Sequence, residues 1–363
     1  MKSITPQKVT VMVFALLLAG IFVIQLVKPD ASISFSERRK LQERPEATSE
    51  SIANGDYFET LETYLLDQAL FRDAFRTIKA TSSRYLLFRR DTNGIYSYRL
   101  GLYKIETTDK ESFLKASEKI ESLASELTGL NCYYSLIPDK NALVAEHSGR
   151  PSHDISQCET LLASGIHSAE YIDIASCLTI DDYYRTDLHW RQERLLPTAE
   201  ILLRAMNNNA EQYSFVETVL TDFYGVYYGQ SALPCRSEDM RYLVSPSYKN
   251  VTLTSLETQK TLPLYDEEAF RSIDPYNLYV GGTQALLRIE NPDAEEERTL
   301  YLFRDSFSSS LAPLLLCGYS EIVLIDLRDV DSRYLEYFIT FKEGSDVLFL
   351  YSTHILNDST MLR

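Results

Sequence analysis

A serine becomes a nucleophile when a base takes its proton, and the base works when an acid holds its ring. One stretch supplies the serine. Phe303-Arg-Asp-Ser-Phe307 directly follows the apolar run TLYLF (299–303) and precedes SSSLAPLLL, which reads as the start of a helix. In such a turn, backbone N–H groups and the helix dipole can stabilise an oxyanion, which makes Ser306 a candidate nucleophile. Helix capping is the plain alternative for Asp305, Ser306 and Ser308, because Ser and Asp are preferred caps. The base must come from five histidines. His147, His153 and His167 lie in polar stretches without a carboxylate placed to orient them. In Asp187-Leu-His189-Trp190, an extended backbone would put residues two apart on one side, so that Asp187 holds the His189 ring. Trp190 would then shield that ring or stack on a sugar. His354 follows the run DVLFLYS (346–352) and is a rival base, but no Asp stands two or three residues before it. No second histidine stands at ligand spacing, so neither a metal nor a cofactor is expected.

These residues need a scaffold. TLYLF (299–303), EIVLIDL (321–327) and DVLFLYS (346–352) are continuous apolar runs separated by expected helices, the pattern of parallel strands covered on both faces. With CYYSLI (132–137), the short strand 171–174, and helices near 109–127, 157–163 and 192–206, they predict an α/β domain with a mostly parallel, doubly wound sheet. Ligands in such sheets bind beyond the carboxyl ends of the strands. Upstream, 31–54 reads as a polar stalk, and 55–90 carries apolar residues at helical spacing, stopped by the turn residues 91–94.

The formal net charge of −16, from 36 basic and 52 acidic residues, argues against a nucleic-acid surface. Residues 9–27 form one apolar run of the length that crosses a bilayer. The KPDASISFSE that follows is a poor cleavage site, so the run reads as an uncleaved signal anchor. Basic residues on both sides leave its orientation open. The five cysteines form no C-x-x-C pair, which gives neither a zinc nor a redox motif, and an odd count leaves at least one unpaired. Cys132 and Cys317 lie in apolar surroundings and read as core residues. The 25 tyrosines suit a surface that meets carbohydrate, although packing accounts for most of them equally well.

YYRTDLHW (183–190) resembles the motif of the DHHW family, exported proteins related to the AlgX/AlgJ-like polysaccharide O-acetyltransferases with an SGNH-hydrolase-like fold. FSERRKLQERPE (35–46), DQALFRDAF (67–75), LIPDKN (136–141), TDFYGVYYGQSA (221–232), RIENP (288–292) and FRDSF (303–307) match in the same order. The resemblance implies a three-layer α/β/α sandwich after one N-terminal transmembrane helix. It divides the chain into a cytoplasmic 1–8, a span at 9–27, a stalk and helical lead-in at 28–100 and an SGNH-like domain at 101–363, with the catalytic domain extracytoplasmic. It further implies a triad of Ser306 (nucleophile), His189 (general base) and Asp187, with Gly282, Thr283 and Trp190 toward the oxyanion or substrate. Leu188 replaces the first His of the motif, and Thr283 replaces the Asn of a Gly-Gly-Asn. Losing one oxyanion donor would cost about 10²–10³ in rate. The function implied is an O-acyltransferase, chiefly an O-acetyltransferase, that modifies a cell-surface polysaccharide. A multipass membrane acyltransferase is implied as the donor's source. An esterase using the same triad is the alternative, and a catalytically degenerate carbohydrate-binding or assembly subunit, favoured by Thr283, is a third.

Overall fold

A strand covered on both faces needs no polar alternation, and the apolar runs of the carboxyl-terminal third form the centre of one sheet. The structure is a computed structural model that describes residues 5–211 and 213–363. It divides into two compact units: the first ends at Thr92 and includes Gly229–Pro234, and the second comprises Asn93–Tyr228 and Cys235–Arg363.

The first unit begins with α1 (Pro6–Val27), whose 22 apolar-rich residues extend about 33 Å at the helical rise and have no buried face. The stretch 31–54 is more than a stalk. It carries a small hairpin, β1 (Ile33–Ser34) with β2 (Arg39–Lys40), and the helix α2 (Ser49–Asn54), which is closed by a Thr48/Ser51 capping box. The helical repeat of 55–90 is two helices, α3 (Asp56–Asp67) and α4 (Arg72–Tyr85), because the chain turns at Gln68 and Phe71 takes a left-handed φ of 58°. Arg39 donates to both carboxylate oxygens of Asp67 at 2.8 and 2.6 Å, and this holds the Asp67 carboxyl below its ordinary range.

The second unit opens with the hairpin β3 (Ile95–Tyr98) and β4 (Gly101–Lys104), followed by α5 (Lys110–Glu126), β5 (Asn131–Ile137), α6 (Ala145–Ser148), α7 (Ile155–Gly165), β6 (Glu170–Tyr171) and α8 (Leu196–Ala205). A two-stranded ribbon, β7 (Val216–Phe223) with β8 (Glu238–Val244), brackets α9 (Val226–Ser231). Then come β9 (Thr252–Ser255), β10 (Thr261–Leu262), β11 (Leu286–Glu290), β12 (Thr299–Arg304), α10 (Ser308–Leu311), β13 (Glu321–Ile325), β14 (Asp346–Ser352) and α11 (Thr353–Leu356). The eight-stranded sheet runs β10-β9-β11-β13-β12-β14-β5-β6. The five strands from β13 to β6 are parallel, while β11, β9 and β10 extend the other edge antiparallel.

Side chains alternate across this sheet and divide the core in two. Leu300, Leu302, Leu348 and Leu350 pack toward α8 and Trp190, whereas Tyr301, Phe303, Val347 and Phe349 pack with Phe113 of α5 and Leu162 of α7. The result is the three-layer α/β/α sandwich with a mostly parallel sheet. The crossovers are shorter than the sequence pattern suggests. After β12, four α-helical residues give way to a 3₁₀ turn at Pro313, which lacks an N–H, and only a 3₁₀ turn (Ser332–Tyr337) precedes β14. The helix expected near 192–206 is likewise a 3₁₀ turn followed by α8. The five cysteines are all free thiols, with Cys132 and Cys317 half-buried against the two cores.

At the amino end of the parallel strands, the buried Asp346 accepts from Arg298 Nη2 (2.8 Å), Tyr319 Oη (2.8 Å) and Asn131 Nδ2 (3.0 Å), tying the entries of β12, β13 and β5 to that of β14. Asp346→Ala removes the acceptor of the buried Tyr319 hydroxyl, whereas Arg298 keeps the Met206 and Asn207 carbonyls, and should cost about 1–3 kcal/mol, measurable by urea denaturation.

Candidate active site

The parallel strands β12, β14 and β5 all end at one edge of the sheet, and that edge receives the candidate chemistry. β12 delivers Arg304, Asp305 and Ser306 there. Asp305 does not cap a helix. It accepts from the N–H of Phe307 (3.0 Å) and, across the sheet, from the N–H of Ser352 (2.7 Å), which fixes the turn that presents Ser306. Arg304 is fully buried and braces the same turn from below, donating to Ser309 Oγ (2.9 Å) and to the Gln284 carbonyl (3.2 Å). Burial lowers its pKa. Ser306 itself is half-buried, and among the described residues its backbone N–H has no protein acceptor.

The Asp-Leu-His segment is a tight turn rather than the extended piece the sequence suggests. Tyr183 and Trp190 pair as an antiparallel bridge, and the N–H of Tyr184 donates to the His189 carbonyl (3.0 Å). Asp187 Oδ1 accepts both the His189 backbone N–H (3.1 Å) and the ring Nδ1–H (2.6 Å), and Oδ2 accepts the N–H of Val226 (2.8 Å). The other ring nitrogen, Nε2, stands 2.8 Å from Ser306 Oγ. Since a carboxylate only accepts, Nδ1 carries the proton, and Nε2 is left to receive the one from Ser306. The His189 ring lies between Tyr276, stacked at 3.8 Å and 9°, and Phe307 at 4.8 Å. Tyr276 covers one face of the ring and Phe307 packs at a tilt on the other, so the ring is held in place and largely shielded from water.

Four elements hold the turn. Lys140, buried after β5, donates from Nζ to the carbonyls of Tyr184 (2.7 Å) and Arg185 (3.1 Å) and lies over the rings of Tyr103 and Tyr227. Burial pushes this ammonium's pKa down to about 8. Glu238 of β8 accepts from the N–H groups of Arg185 (2.9 Å) and Thr186 (2.8 Å) and from the Thr186 hydroxyl (2.6 Å). Leu102 of β4 donates its N–H to the Arg185 carbonyl (2.8 Å). Gly225 lies directly against the turn, and a Cβ there would collide with the backbone of Thr186 and Asp187.

Ser306, His189 and Asp187 are thus brought together from segments 117 residues apart. The other expected site residues stand apart from them. Trp190 is wholly buried and cannot reach a sugar; its Nε1 donates to the Phe307 carbonyl (2.8 Å) and Ser310 Oγ (3.0 Å), pinning the serine turn from behind. Thr283 is exposed, with its hydroxyl 3.5 Å from Asn277 Oδ1, and the half-buried Gly282, at a φ of 71°, packs on the Asn277 side chain. Neither has a hydrogen bond to the triad among the described residues, although Asn277 adjoins Tyr276. His354 pairs with Glu106 at 3.2 Å and takes no part. Sequence reasoning missed Tyr276, Lys140, Glu238 and the role of Gly225. The last two positioning groups sit in or just after TDFYGVYYGQSA, and Lys140 sits in LIPDKN, so the quoted motifs were the available signal.

No family model and no curated protein matches the chain. Solved structures do. A DHHW family protein from Eubacterium siraeum superposes with a TM-score of 0.59 at 15% identity, covering 75% of this chain and 94% of that one. The chain shares the fold of a DHHW family protein. PatB1 of Bacillus cereus is similar at 0.58 and 17% identity, over 72% of this chain and 96% of its own, and its form with a sulfonyl adduct at 0.56. The O-acetyltransferase domain of Pseudomonas putida AlgJ matches more loosely, at 0.44 and 12% identity over 73% of this chain and 92% of its own. The likeness of fold rests on the first two proteins.

Gly225→Ala should leave a folded chain, by circular dichroism, in which the displaced Asp187 turn lowers the labelling rate of Ser306 by a sulfonyl fluoride about 10²-fold. Lys140 gives a pH signature. The folded state depresses its pKa from 10.5 to about 8, so between these values the unfolded chain binds more protons and this group makes stability rise with pH. Urea midpoints should therefore move further in favour of the unmodified protein over Lys140→Met at pH 10 than at pH 8.

Proposed function

We propose that this protein is an extracytoplasmic, membrane-anchored O-acyltransferase that places acetyl groups on hydroxyls of a cell-surface polysaccharide. The observation that carries the proposal is the hydrogen-bonded line from Asp187 through His189 to Ser306, at 2.6 and 2.8 Å, at the carboxyl edge of a parallel sheet. The half-buried Ser306 in this line supports a working centre over a binding-only relative, in spite of Thr283. An anchor is supported by α1, the one helix among the described residues long and apolar enough to cross a bilayer.

In the reaction, Ser306 Oγ attacks the carbonyl carbon of the donor ester while its proton passes to His189 Nε2. Asp187 stabilises the resulting imidazolium, and the unoccupied Ser306 N–H is one donor to the oxyanion. His189 returns the proton to the departing alkoxide, leaving an acyl-serine. A sugar hydroxyl then attacks this ester, giving its proton to His189, which restores Ser306 Oγ–H as the acylated sugar leaves.

PatB1 carrying a sulfonyl adduct suggests the probe. A sulfonyl fluoride should add one mass increment to the Ser306 peptide of the full chain, and His189→Ala should slow this by roughly 10²–10⁴. Given an activated acetyl ester and a glycan acceptor together, the protein should yield acetylated glycan. Free acetate as the sole product would mark an esterase, and absence of any Ser306 adduct in folded protein would sink the catalytic proposal.

A further inference from the structure

The first compact unit leaves apolar surface uncovered on one helix face. Phe75 and Ile78 on α4 are 62 and 59% exposed, Phe71 just before the helix is 65% exposed, and Tyr85 and Leu86 at its far end extend the same apolar surface. The opposite side carries the helix's one buried residue, Ala80, so α4 packs by its small side and turns its large residues outward. Leu65 and Leu66, at the end of α3, add to the exposed surface.

A second observation fixes where this surface lies. The turn joining α3 to α4 is fastened to the last turn of α1. Gln25 Nε2 donates to the Gln68 carbonyl (2.7 Å), and Gln25 Oε1 accepts the N–H of Leu70 (2.9 Å). Lys28 Nζ reaches the same Gln68 carbonyl (3.3 Å), and the buried Gln68 amide exchanges hydrogen bonds with the Ala31 N–H and carbonyl, both at 2.9 Å. Gln25 and Lys28 mark the polar end of the apolar run, so the start of α4 is held at the depth where a membrane-spanning α1 leaves the hydrocarbon. Charge agrees. Residues 72–90 hold six basic side chains and one acidic, in a chain of net charge −16. Of these, Arg72 and Arg76 are tied to Glu37, while Lys79 is exposed beside the apolar stripe.

We infer that α4 is an interfacial helix, lying on an anionic lipid surface with Phe71, Phe75 and Ile78 in the acyl boundary and Lys79 and the basic residues after it among the headgroups. The inference rests on the anchor reading of α1 and deepens it. With one spanning helix and one interfacial helix clamped together, the first unit is seated on the bilayer at two places.

The test uses the full chain in vesicles of phosphatidylglycerol and phosphatidylethanolamine, with benzophenone-alanine placed singly at Leu17, Phe75 or Ile78. Illumination should give lipid adducts, seen by mass, at all three. Raised salt should lower the yield at Phe75 and Ile78 but not at Leu17, because only the interfacial contact is screened. Lipid adducts at Leu17 with none at Phe75 and Ile78 would overturn the inference and leave the anchor standing. Adducts at Phe75 or Ile78 to a second copy or another protein would overturn it in favour of a protein interface. Absence of lipid adducts at Leu17 would remove the anchor and this inference together.

Discussion

A carboxylate buried without partners costs several kcal/mol, and the candidate site is organised around meeting that cost at Asp187. Its two oxygens take three N–H donors, two from His189 and one from Val226. Three consequences follow. The chain must bend between Asp187 and His189 so that one oxygen can reach both the backbone and the ring. The segment before α9 must approach without a side chain, which is the role of Gly225. The turn must also be held from outside, by Lys140 on its carbonyls and Glu238 on its N–H groups.

The histidine is constrained as strictly as the acid. Tyr276 covers one face and Phe307 approaches the other, while the Tyr276 hydroxyl donates to Ser310 Oγ (2.8 Å), which also accepts from Trp190. One small network therefore locks the ring, the serine turn and the indole together. Its members are buried, so each hydrogen bond acts in a medium of low polarisability and resists reorientation. A hydrogen-bonded line held in this way is preorganised.

The two compact units differ in kind. The second is a sandwich with a two-sided core and the candidate site at one edge, stable by burial of apolar area. The first is built from short helices, ion pairs and a clamp of amide hydrogen bonds, and it leaves large apolar side chains in the open. Such a unit makes physical sense when a bilayer, rather than a core, covers those side chains.

The sequence by itself determined the parallel centre of the sheet, because runs such as TLYLF and DVLFLYS are short, continuously apolar and bounded by turn residues, while the antiparallel edge of β9, β10 and β11 went unread. It also named the candidate triad, through two separate local patterns, D-x-H at 187–189 and a serine after a strand at 306, which only the resemblance to the DHHW motif joined. It misplaced what depends on distant partners. Trp190 reads as a sugar platform until Phe307 and Ser310 are seen to take its N–H, and the Asp187 turn reads as extended until Val226 supplies the donor that bends it. Crossover helices expected from length alone are cut short by Pro313 and by capping turns. Tyr276 had no local signal of its role, and Lys140 only its place in LIPDKN, because stacking on His189 and bridging to Tyr184 join residues many tens of positions apart. Local pattern fixes which residues can react and which segments must be buried. Only the packing of remote segments decides what each buried polar group faces, because a desolvated donor or acceptor takes whichever partner the fold brings within 3 Å.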